Sequence, residues 1–462
     1  MKKRSKEELL LELSTLLETT SIKPHIKKIG ELRNQLYDLT TDVEELTITN
    51  RIKDKVQEEA GEAWLNSGRR GAIYIATGVG KTKIAIDYIS KAVIEMGRIP
   101  AVIAVPTEHL RDIGWKDEFE KWGREDAIND VVTVCYNSLN KIRDKDISLV
   151  VLDEGHNITE LSAQFFMHNT VSSIMVLTAT PPQRFSEKET IFQRLGIRSV
   201  YELSLDEAVE LGIVAPYNIT VVTVPLDARD AYVQCGKKGA YFYQTEQKKY
   251  DYLTMKTLTS NDSVPRLQRM QFIYKLRSKS KATKALLDMI PESLKTLIFC
   301  ANKRQAIDAC EHRYFSKPTI TPKERVRLDK VEEYQYIMGE WHGDKDLEDF
   351  VGDRISRLSC CEALNEGVNL QGESKIDVAF IAQLNSRQLH FIQRIGRILR
   401  YKRDHTGEIV ILAVRDTVDL EWANNAISGL NSAKVRYVNL EDVLSGKEEL
   451  LVTKEEEVLF TI

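Results

Sequence analysis

Short, continuous runs of apolar residues alternate with stretches of helical periodicity along most of this chain, and this alternation restricts the folds that it can adopt. The first five runs are GAIYIAT, PAVIAVPT, DVVTVCY, ISLVVLDE and SIMVLTAT, and Pro181 and Pro182 are expected to end the series. Strands that are apolar on both faces and separated by amphipathic helices are typical of a parallel sheet covered by helices on both sides. The first half of the chain therefore predicts an α/β lobe.

A second series of apolar runs predicts a second lobe of the same kind. These runs are expected to form strands near 218–224, 296–300, 334–338, 357–361, 377–382 and 408–414. A long, charged stretch of helical periodicity, about 228–290, lies between the first two runs and is interpreted as a helical insertion. Ahead of the lobes, leucines at helical spacing on both sides of Pro24 predict a small helical element.

The length of 462 residues favours two or three domains over a single core. We expect an N-terminal helical element, a first lobe, a second lobe that carries the insertion, and an acidic tail. Their predicted bounds are 1–48, 49–215, 216–430 and 431–462.

Composition excludes several classes of protein. The chain has 65 Lys+Arg against 69 Asp+Glu, a formal net charge of -4, so it is not a globally basic nucleic-acid binder, although a local basic groove remains open. No apolar run approaches the roughly 20 residues that a bilayer span needs, and charges interrupt the apolar stretch near the N-terminus, so neither membrane insertion nor export is expected. The six cysteines form no C-x-x-C pair, which disfavours a zinc site or a disulfide framework and favours a cytoplasmic location.

The segment Ala76–Thr82, ATGVGKT, lies between a predicted strand and a predicted helix and predicts a phosphate-binding loop. Its glycines allow a tight bend that points backbone N–H groups into one concavity, and the helix N-terminus adds a partial positive charge. Lys81 would reach the β- and γ-phosphates of ATP, and the Thr82 hydroxyl would ligate Mg²⁺. Ile75 stands where the general pattern G-x-x-x-x-G-K-[ST] has its first glycine. The residues expected to bind the nucleotide here are Thr77, Gly78, Val79, Gly80, Lys81 and Thr82.

Two adjacent acids, Asp153 and Glu154, follow the apolar run VVL and are expected at the carboxyl end of a strand, where α/β sheets bind ligands. Asp153 would hold Mg²⁺, partly through water, and Glu154 would orient and deprotonate the attacking water. An Asp-Glu pair alone is a weak signal. It becomes specific together with the phosphate loop, because both must meet at one nucleotide.

These segments, followed by Thr178-Ala179-Thr180-Pro181, resemble motifs I, II and III of superfamily 2 helicases. Further segments resemble, in order and spacing, motifs Ia, IV, V and VI of the same family: 105–107, 296–300, 363–369 and 393–400. The resemblance covers roughly residues 49–415. It implies an α/β fold of two tandem RecA-like parallel-sheet lobes, the P-loop NTPase type, behind the small helical N-terminal element. Gly155 stands where the family usually has alanine, with no obvious effect on the chemistry.

The resemblance also assigns roles to individual residues. The catalytic set that it implies is Lys81, Asp153, Glu154, Gln393, Arg397 and Arg400. Gly367, Asn369 and Gln57 are implied in nucleotide binding; Gln57 aligns with the adenine-contacting glutamine, although Val56 stands where an aromatic residue often precedes it. The implied nucleic-acid contacts are Thr107, Arg111, Thr178, Thr180 and Glu366.

Arg394, Arg397 and Arg400 fall three residues apart, so a helix would present them as one stripe, with Ile395 and Leu399 as its anchor on the other side. By resemblance, Arg397 and Arg400 are arginine fingers and Gln393 is a sensor of the nucleotide. A finger supplied by the opposite lobe would make hydrolysis depend on lobe closure. The basic stretch 263–287 either follows a phosphate backbone or forms a solvated helix face.

The motifs are most similar to the Rad25/type III restriction-like group, which includes phage branch-migration helicases of the UvsW type. The resemblance implies an ATP-dependent DNA helicase or translocase acting on duplex or branched DNA without sequence specificity, in DNA recombination, repair or replication. An RNA helicase of the DExH type and a nucleotide-gated nucleic-acid-binding module stay open as alternatives. A restriction-endonuclease subunit is disfavoured, because no stretch outside the lobes is long enough for a separate nuclease domain.

Overall fold

The structure, a computed structural model, divides the chain into two compact units, residues 1–216 with 399–405 and residues 217–398 with 406–462. Within them it describes residues 4–96, 100–237, 239–260, 262–315, 320, 327–339, 345–361, 376–384, 391, 395–396, 399 and 405–452. In this part of the chain, none of the helices has the length and apolarity that crossing a bilayer requires.

The first unit is a helix-covered parallel sheet preceded by three helices. Its strands are β1 Arg70–Ile75, β2 Ala101–Val105, β3 Val131–Cys135, β4 Asp146–Asp153, β5 Thr170–Thr178 and β6 Ser199–Leu203. Its helices are α1 Lys6–Thr19, α2 Ile26–Leu36, α3 Asp42–Asn66, α4 Lys81–Met96, α5 Trp115–Lys121, α6 Tyr136–Leu139, α7 Glu160–Ala163, α8 Phe165–His168, α9 Glu187–Arg194 and α10 Leu205–Glu210.

The six strands pair in the order β3-β2-β4-β5-β1-β6, and every pairing is parallel. The five predicted strands are confirmed, but the expectation that Pro181 and Pro182 end the series is wrong, because β6 follows them and pairs with β1. β6 is an edge strand with alternating burial, so it lacks the continuous apolar run that revealed the other strands. The carboxyl ends of β1, β2, β4 and β5 carry the predicted motifs to one edge of the sheet.

The predicted N-terminal helices are confirmed and belong to the first unit. α1 and α3 begin with capping boxes, and α3 continues without a break through residue 48. The buried guanidinium of Arg33 on α2 donates to the carbonyl of Leu211 at 3.0 Å and to the Thr49 hydroxyl at 3.0 Å. Gly212 has a φ of +65°, and a Cβ there would lie 0.9 Å from Arg33 Nη1. Glycine at this position therefore leaves the space that Arg33 fills.

The second unit contains a seven-stranded parallel sheet in the order β11-β12-β10-β13-β14-β7-β15, and a separate hairpin of β8 and β9. Its strands are β7 Tyr217–Val224, β8 Val233–Lys237, β9 Ala240–Gln244, β10 Thr296–Phe299, β11 Arg313–Tyr314, β12 Arg357–Cys360, β13 Val378–Ile381, β14 Gly407–Val414 and β15 Val435–Asn439. Its described helices are α11 Glu246–Thr259, α12 Ser263–Ile273, α13 Arg277–Met289, α14 Lys303–Ala309, α15 Leu328–Gly339, α16 Lys345–Val351, α17 Val418–Ile427 and α18 Leu440–Leu444.

Five of the six strands predicted for this unit are confirmed, and the α/β class with two parallel-sheet lobes is confirmed with them. The predicted strand at 334–338 is wrong, because these residues lie inside α15. The run YQYIM favours a strand by composition, but it continues the apolar spacing of Val331, Tyr334 and Ile337, which is helical. The stretch 228–290, which was predicted as a helical insertion, contains the β8–β9 hairpin followed by the three helices α11, α12 and α13.

One cation of the basic stretch 263–287 lies in the core of this unit. Lys279 on α13 is 1 % exposed; its Nζ donates to Asp419 Oδ2 at 2.5 Å and to Gln383 Oε1 at 2.7 Å. The Gln383 amide in turn donates to Asp419 Oδ1 at 2.8 Å, and Val414 N donates to Asp419 Oδ2 at 2.9 Å. Lys279 is therefore a structural residue, and the interpretation of this residue as a surface cation is wrong.

Candidate nucleotide-binding site

The phosphate loop connects β1 to α4 in the predicted strand–loop–helix arrangement. Gly78 and Gly80 have φ angles of +89° and +94°, in the left-handed region that favours glycine. A Cβ at Gly80 would also lie 2.6 Å from Gln57 Nε2, so this position has room for no side chain. Lys81 is the first residue of α4, and its Nζ donates to the Ile75 carbonyl at 3.3 Å. The Lys81 side chain therefore folds back over the loop that it is predicted to serve.

Gln57 on α3 is buried against this loop. Its Nε2 donates to the Val79 carbonyl at 2.7 Å, and its Oε1 accepts from Lys83 Nζ at 3.1 Å. Lys83 is held in turn by Asp54 Oδ1 at 2.8 Å. Gln57 therefore supports the loop backbone, and its predicted contact with adenine stays a prediction.

The run of buried residues in β4 ends at Asp153, whose carboxylate is 8 % exposed. Its Oδ2 accepts the indole N–H of Trp115 at 3.0 Å, and the Tyr136 hydroxyl donates to its carbonyl at 2.8 Å. Burial, reinforced by the charge of Glu154, raises the pKa of Asp153 to about 7, whereas the Trp115 hydrogen bond and the charge of Lys81 act to lower it. Lys81, at the start of α4, is therefore close enough to the end of β4 for its charge to act on the Asp153 carboxylate.

Glu154 has a φ of +46°, a left-handed conformation that costs a non-glycine residue roughly 1–2 kcal/mol. Its Oε2 is buried and accepts no hydrogen bond from the residues that the structure describes. The ring nitrogen Nδ1 of His156 lies 3.5 Å from this oxygen. A buried carboxylate oxygen without a donor calls for an explanation, and a bound water or ligand is the usual one.

His156 links the acids to the end of β5. Its Nε2 lies 3.1 Å from the side-chain amide nitrogen of Asn157, which can only donate, so Nδ1 carries the proton. Nδ1–H then donates to Thr178 Oγ1 at 3.0 Å, and Thr178 Oγ1 accepts from Thr180 N at 3.3 Å. Thr178 is 1 % exposed, so a nucleic acid would reach it only after it is uncovered. Its predicted contact, like that of Thr180, stays a prediction.

The other predicted nucleic-acid residues of this unit follow β2. Thr107 Oγ1 accepts from Leu110 N at 3.3 Å, and the Arg111 guanidinium pairs with Asp112 at 2.6 Å. The Asp112 hydrogen bond raises the pKa of Arg111 above its usual range. A nucleic-acid phosphate would therefore compete with Asp112 for this arginine.

The residues predicted from motifs V and VI lie outside the described residues. They are Glu366, Gly367, Asn369, Gln393, Arg397 and Arg400. Ile395 and Leu399, predicted to anchor the arginine stripe, are both buried. The roles of the six residues stay predictions.

Three residues of the site were not predicted from the sequence: Trp115 as a donor to Asp153, Tyr136 as a support for the same residue, and Lys83 as a partner of Gln57. Trp115 was interpreted as a core or interface residue, and it is indeed 2 % exposed. The residue type was the signal for its role as a hydrogen-bond donor, because the N–H of a buried tryptophan needs an acceptor.

Comparison with known proteins finds one family model and one relative to which this chain is similar. Residues 51–183 match the family model described as type III restriction enzyme, res subunit. The chain is 25% identical over 427 residues to the DNA 3'-5' translocase XPB2 of Sulfurisphaera tokodaii, a match that covers 85% of this chain and 90% of the relative.

Two solved structures have a similar fold. The ATP-dependent type ISP restriction-modification enzyme LlaBIII bound to DNA matches 83% of this chain with a TM-score of 0.51 at 14% identity, and the chain spans 31% of its length. Dbp5 of S. cerevisiae bound to RNA and ADP BeF3 matches 85% of this chain and 91% of its own, with a TM-score of 0.52 at 14% identity. These similarities confirm the predicted tandem RecA-like lobes.

Proposed function

We propose that the chain is a nucleic-acid-dependent ATPase of the Rad25/type III restriction-like group of superfamily 2 helicases, and that it acts as a DNA helicase or translocase that remodels branched DNA. The observation that carries its ATPase mechanism is the grouping of Lys81, Asp153 and Glu154. The charge of Lys81 acts on the carboxylate of Asp153, whose pKa is raised by burial and by Glu154, and Glu154 has a buried oxygen without a donor among the described residues.

The phosphate loop would bind the triphosphate through its backbone N–H groups, and Lys81 would leave the Ile75 carbonyl for the β- and γ-phosphates. Thr82 and Asp153 supply the oxygen ligands that suit Mg²⁺, which neutralises phosphate charge when it is bound. Trp115 would keep Asp153 Oδ2 in place. Glu154 would then accept a proton from the attacking water at its unpartnered oxygen.

His156 offers a route by which hydrolysis reaches the rest of the unit. It lies 3.5 Å from Glu154 Oε2 and donates to Thr178, at the end of the strand that leads to Thr180. A change in charge at Glu154 would alter the hydrogen bond to Thr178. We place Arg397 and Arg400 as the fingers that complete the site on lobe closure, as their motif implies.

The choice of DNA rests on the relative that is a DNA translocase, and on the match to the restriction-enzyme family. Branch migration or fork remodelling, in recombination, repair or replication, is the specific activity that we propose within this class. The test compares ATP turnover with linear duplex DNA, a fork, a four-way junction and single-stranded RNA at one stated salt concentration. We expect stimulation by DNA, greatest with the junction. Stimulation by RNA alone, or by nothing, would overturn the assignment.

Movement is tested separately, by displacement of a triplex-forming strand from duplex DNA. ATP should be required, and Glu154→Gln should bind ATP and DNA without displacing the strand. Arg400→Ala should also keep ATP binding while turnover falls by about 10³-fold, the scale of a lost arginine finger. Arg394→Ala, on the same predicted stripe, is the matched control; equal losses in the two variants would remove the finger assignment.

A further inference from the structure

Three consecutive aromatic residues are exposed on the β8–β9 hairpin, which lies outside the seven-stranded sheet of the second unit. Tyr241, Phe242 and Tyr243 are 55%, 55% and 61% exposed. Large apolar rings clustered at the surface usually mark a site where something binds. The nucleotide site does not use this hairpin, so its aromatic rings need a separate explanation.

Tyr241 and Tyr243 share one face of the hairpin, because alternate residues of a strand point to the same side. Across the hairpin they pair with Gly236 and Gln234, and all four positions are exposed. Gly236 has a φ of +97°, and a Cβ there would lie 2.1 Å from the Ala240 carbonyl oxygen. This position therefore requires glycine, so no side chain from the cross-strand position covers the ring of Tyr241.

The base of the hairpin is held firmly. Glu246, at the start of α11, is fully buried and accepts from Asp227 N at 2.9 Å, from Ser278 N at 3.0 Å and from the Tyr232 hydroxyl. The same hydroxyl accepts from Arg277 N at 3.0 Å. These bonds tie the segments before and after the hairpin to α11 and α13. A surface fixed in advance loses little conformational entropy when it binds.

The surroundings of the hairpin are strongly basic in a chain of formal net charge -4. Residues 228–284 contain thirteen lysines and arginines, of which Lys279 is buried, but only four acidic residues, of which Glu246 is buried. Lys237 ends β8 and is exposed, and the exposed Arg277 lies over the ring of Tyr232, directly before β8, with its guanidinium carbon 5.5 Å from the ring centroid. Apolar rings within a positive field suit a partner that is a polyanion and carries flat, apolar faces.

We propose that Tyr241 and Tyr243 bind unpaired bases of the nucleic-acid substrate by stacking, while the surrounding lysines and arginines bind its phosphates. The inference rests on the proposed function and adds a contact to it, a single-strand site on the second unit. Stacking on aromatic rings tolerates any base, which agrees with a motor that reads no sequence. A fork with a single-stranded arm offers such unpaired bases.

The test measures binding of the full chain to oligo-dT and to an abasic strand of equal length, which offers the same phosphates without bases. The double variant Tyr241→Ala/Tyr243→Ala should lose about tenfold or more in affinity for oligo-dT and keep its affinity for the abasic strand. The matched control is Tyr437→Ala, because Tyr437 is 53% exposed on β15. Circular dichroism would verify that each variant is folded.

Equal affinity of the parent and the double variant for oligo-dT would overturn the inference. Equal losses for the two strands would overturn it as well, because they would indicate an effect on phosphate contacts. A change of oligomeric state in the double variant would assign the rings to a protein interface instead. DNA-stimulated ATPase activity of the parent distinguishes failure of this inference from failure of the proposed function. If the activity is present while the tyrosine substitutions make no difference to binding, this inference alone fails. If the activity is absent, the proposed function fails.

Discussion

Gly155 lies directly after Asp153 and Glu154, the acids that we propose to be catalytic, and replacing it with alanine tests how tightly this turn is packed. The new Cβ would lie 2.3 Å from Val176 Cγ1, more than 1 Å short of the roughly 3.5 Å at which carbon atoms make contact. Val176 is fully buried in β5 between Leu152 and Ala72, so it has no space to withdraw. An overlap of this kind costs roughly 1–3 kcal/mol of stability.

The same overlap would displace Glu154, whose left-handed backbone is already strained. A displacement of about 1 Å at a catalytic group can lower turnover by about 10²-fold, and we expect a loss of this order in Gly155→Ala. Steady-state ATPase measures the turnover, and urea unfolding followed by circular dichroism measures the stability. Gly61→Ala, in α3, is the matched control: its Cβ would meet Ile84 Cγ2 of α4 at 3.8 Å, an ordinary contact, so stability should stay equal or rise.

A second substitution identifies the cause. Val176→Ala removes the methyl groups that the new Cβ would strike, at a cost of its own for the lost packing. If the clash is the reason, the double variant will be destabilised by roughly 1–3 kcal/mol less than the sum of the penalties of Gly155→Ala and Val176→Ala. Its turnover will also recover. Parent-like turnover in Gly155→Ala, or strictly additive penalties, would refute the steric argument.

The remaining predictions address charge. Lys81→Ala should abolish ATP turnover and leave DNA binding largely intact; turnover at the parent rate would contradict the phosphate site. The pKa of Asp153 in the folded state lies above its ordinary value, so without Mg²⁺ the folded state holds the proton of this carboxyl group more tightly than the unfolded chain does. Stability should therefore fall as pH rises through about 7. Asp153→Asn should remove that fall, worth a part of the roughly 4 kcal/mol that a shift from 3.8 to about 7 represents, as urea midpoints at pH 6 and pH 8 would show. Trp115→Phe should cost about 1.5–3 kcal/mol above pH 7, where the lost partner is charged, and less in acid. Lys279→Met should cost roughly 3–5 kcal/mol by leaving Asp419 buried without its cation, and Lys279→Met/Asp419→Asn should cost less than the single variant; a larger cost in the double variant would contradict the pairing.

The parts of the site that were predictable from the sequence are those determined within a few residues. ATGVGKT combines a strand end, two glycines and a helix start, and Asp153 follows directly on an apolar run, so local patterns placed both correctly on the fold. The contacts that hold these groups are of another kind. Trp115 meets Asp153 from 38 residues away, and Gln57 meets Val79 from 22 residues away, distances at which periodicity carries no information.

Predictions from charge and composition were wrong in two places, for the same reason. A lysine in a basic stretch is normally solvated, but Lys279 is buried because its partner Asp419 arrives from a helix far along the chain. The hairpin at 233–244 was included in a helical insertion because the wider stretch is charged and helical. Its short β-rich run, with a glycine at the turn, was the local signal that the wider pattern concealed.

The Lys279–Asp419 pair has a consequence for synthesis of the chain on the ribosome. The lysine is made 140 residues before the carboxylate that neutralises it. At translation speeds of 5–20 residues per second, the interval is roughly 7–28 s, during which the nascent second unit cannot close its core around α13 without burying a lone charge. A ribosome-bound chain that ends before α17 should therefore remain protease-sensitive in this unit, while the first unit, complete by residue 216 apart from a short later segment, already folds.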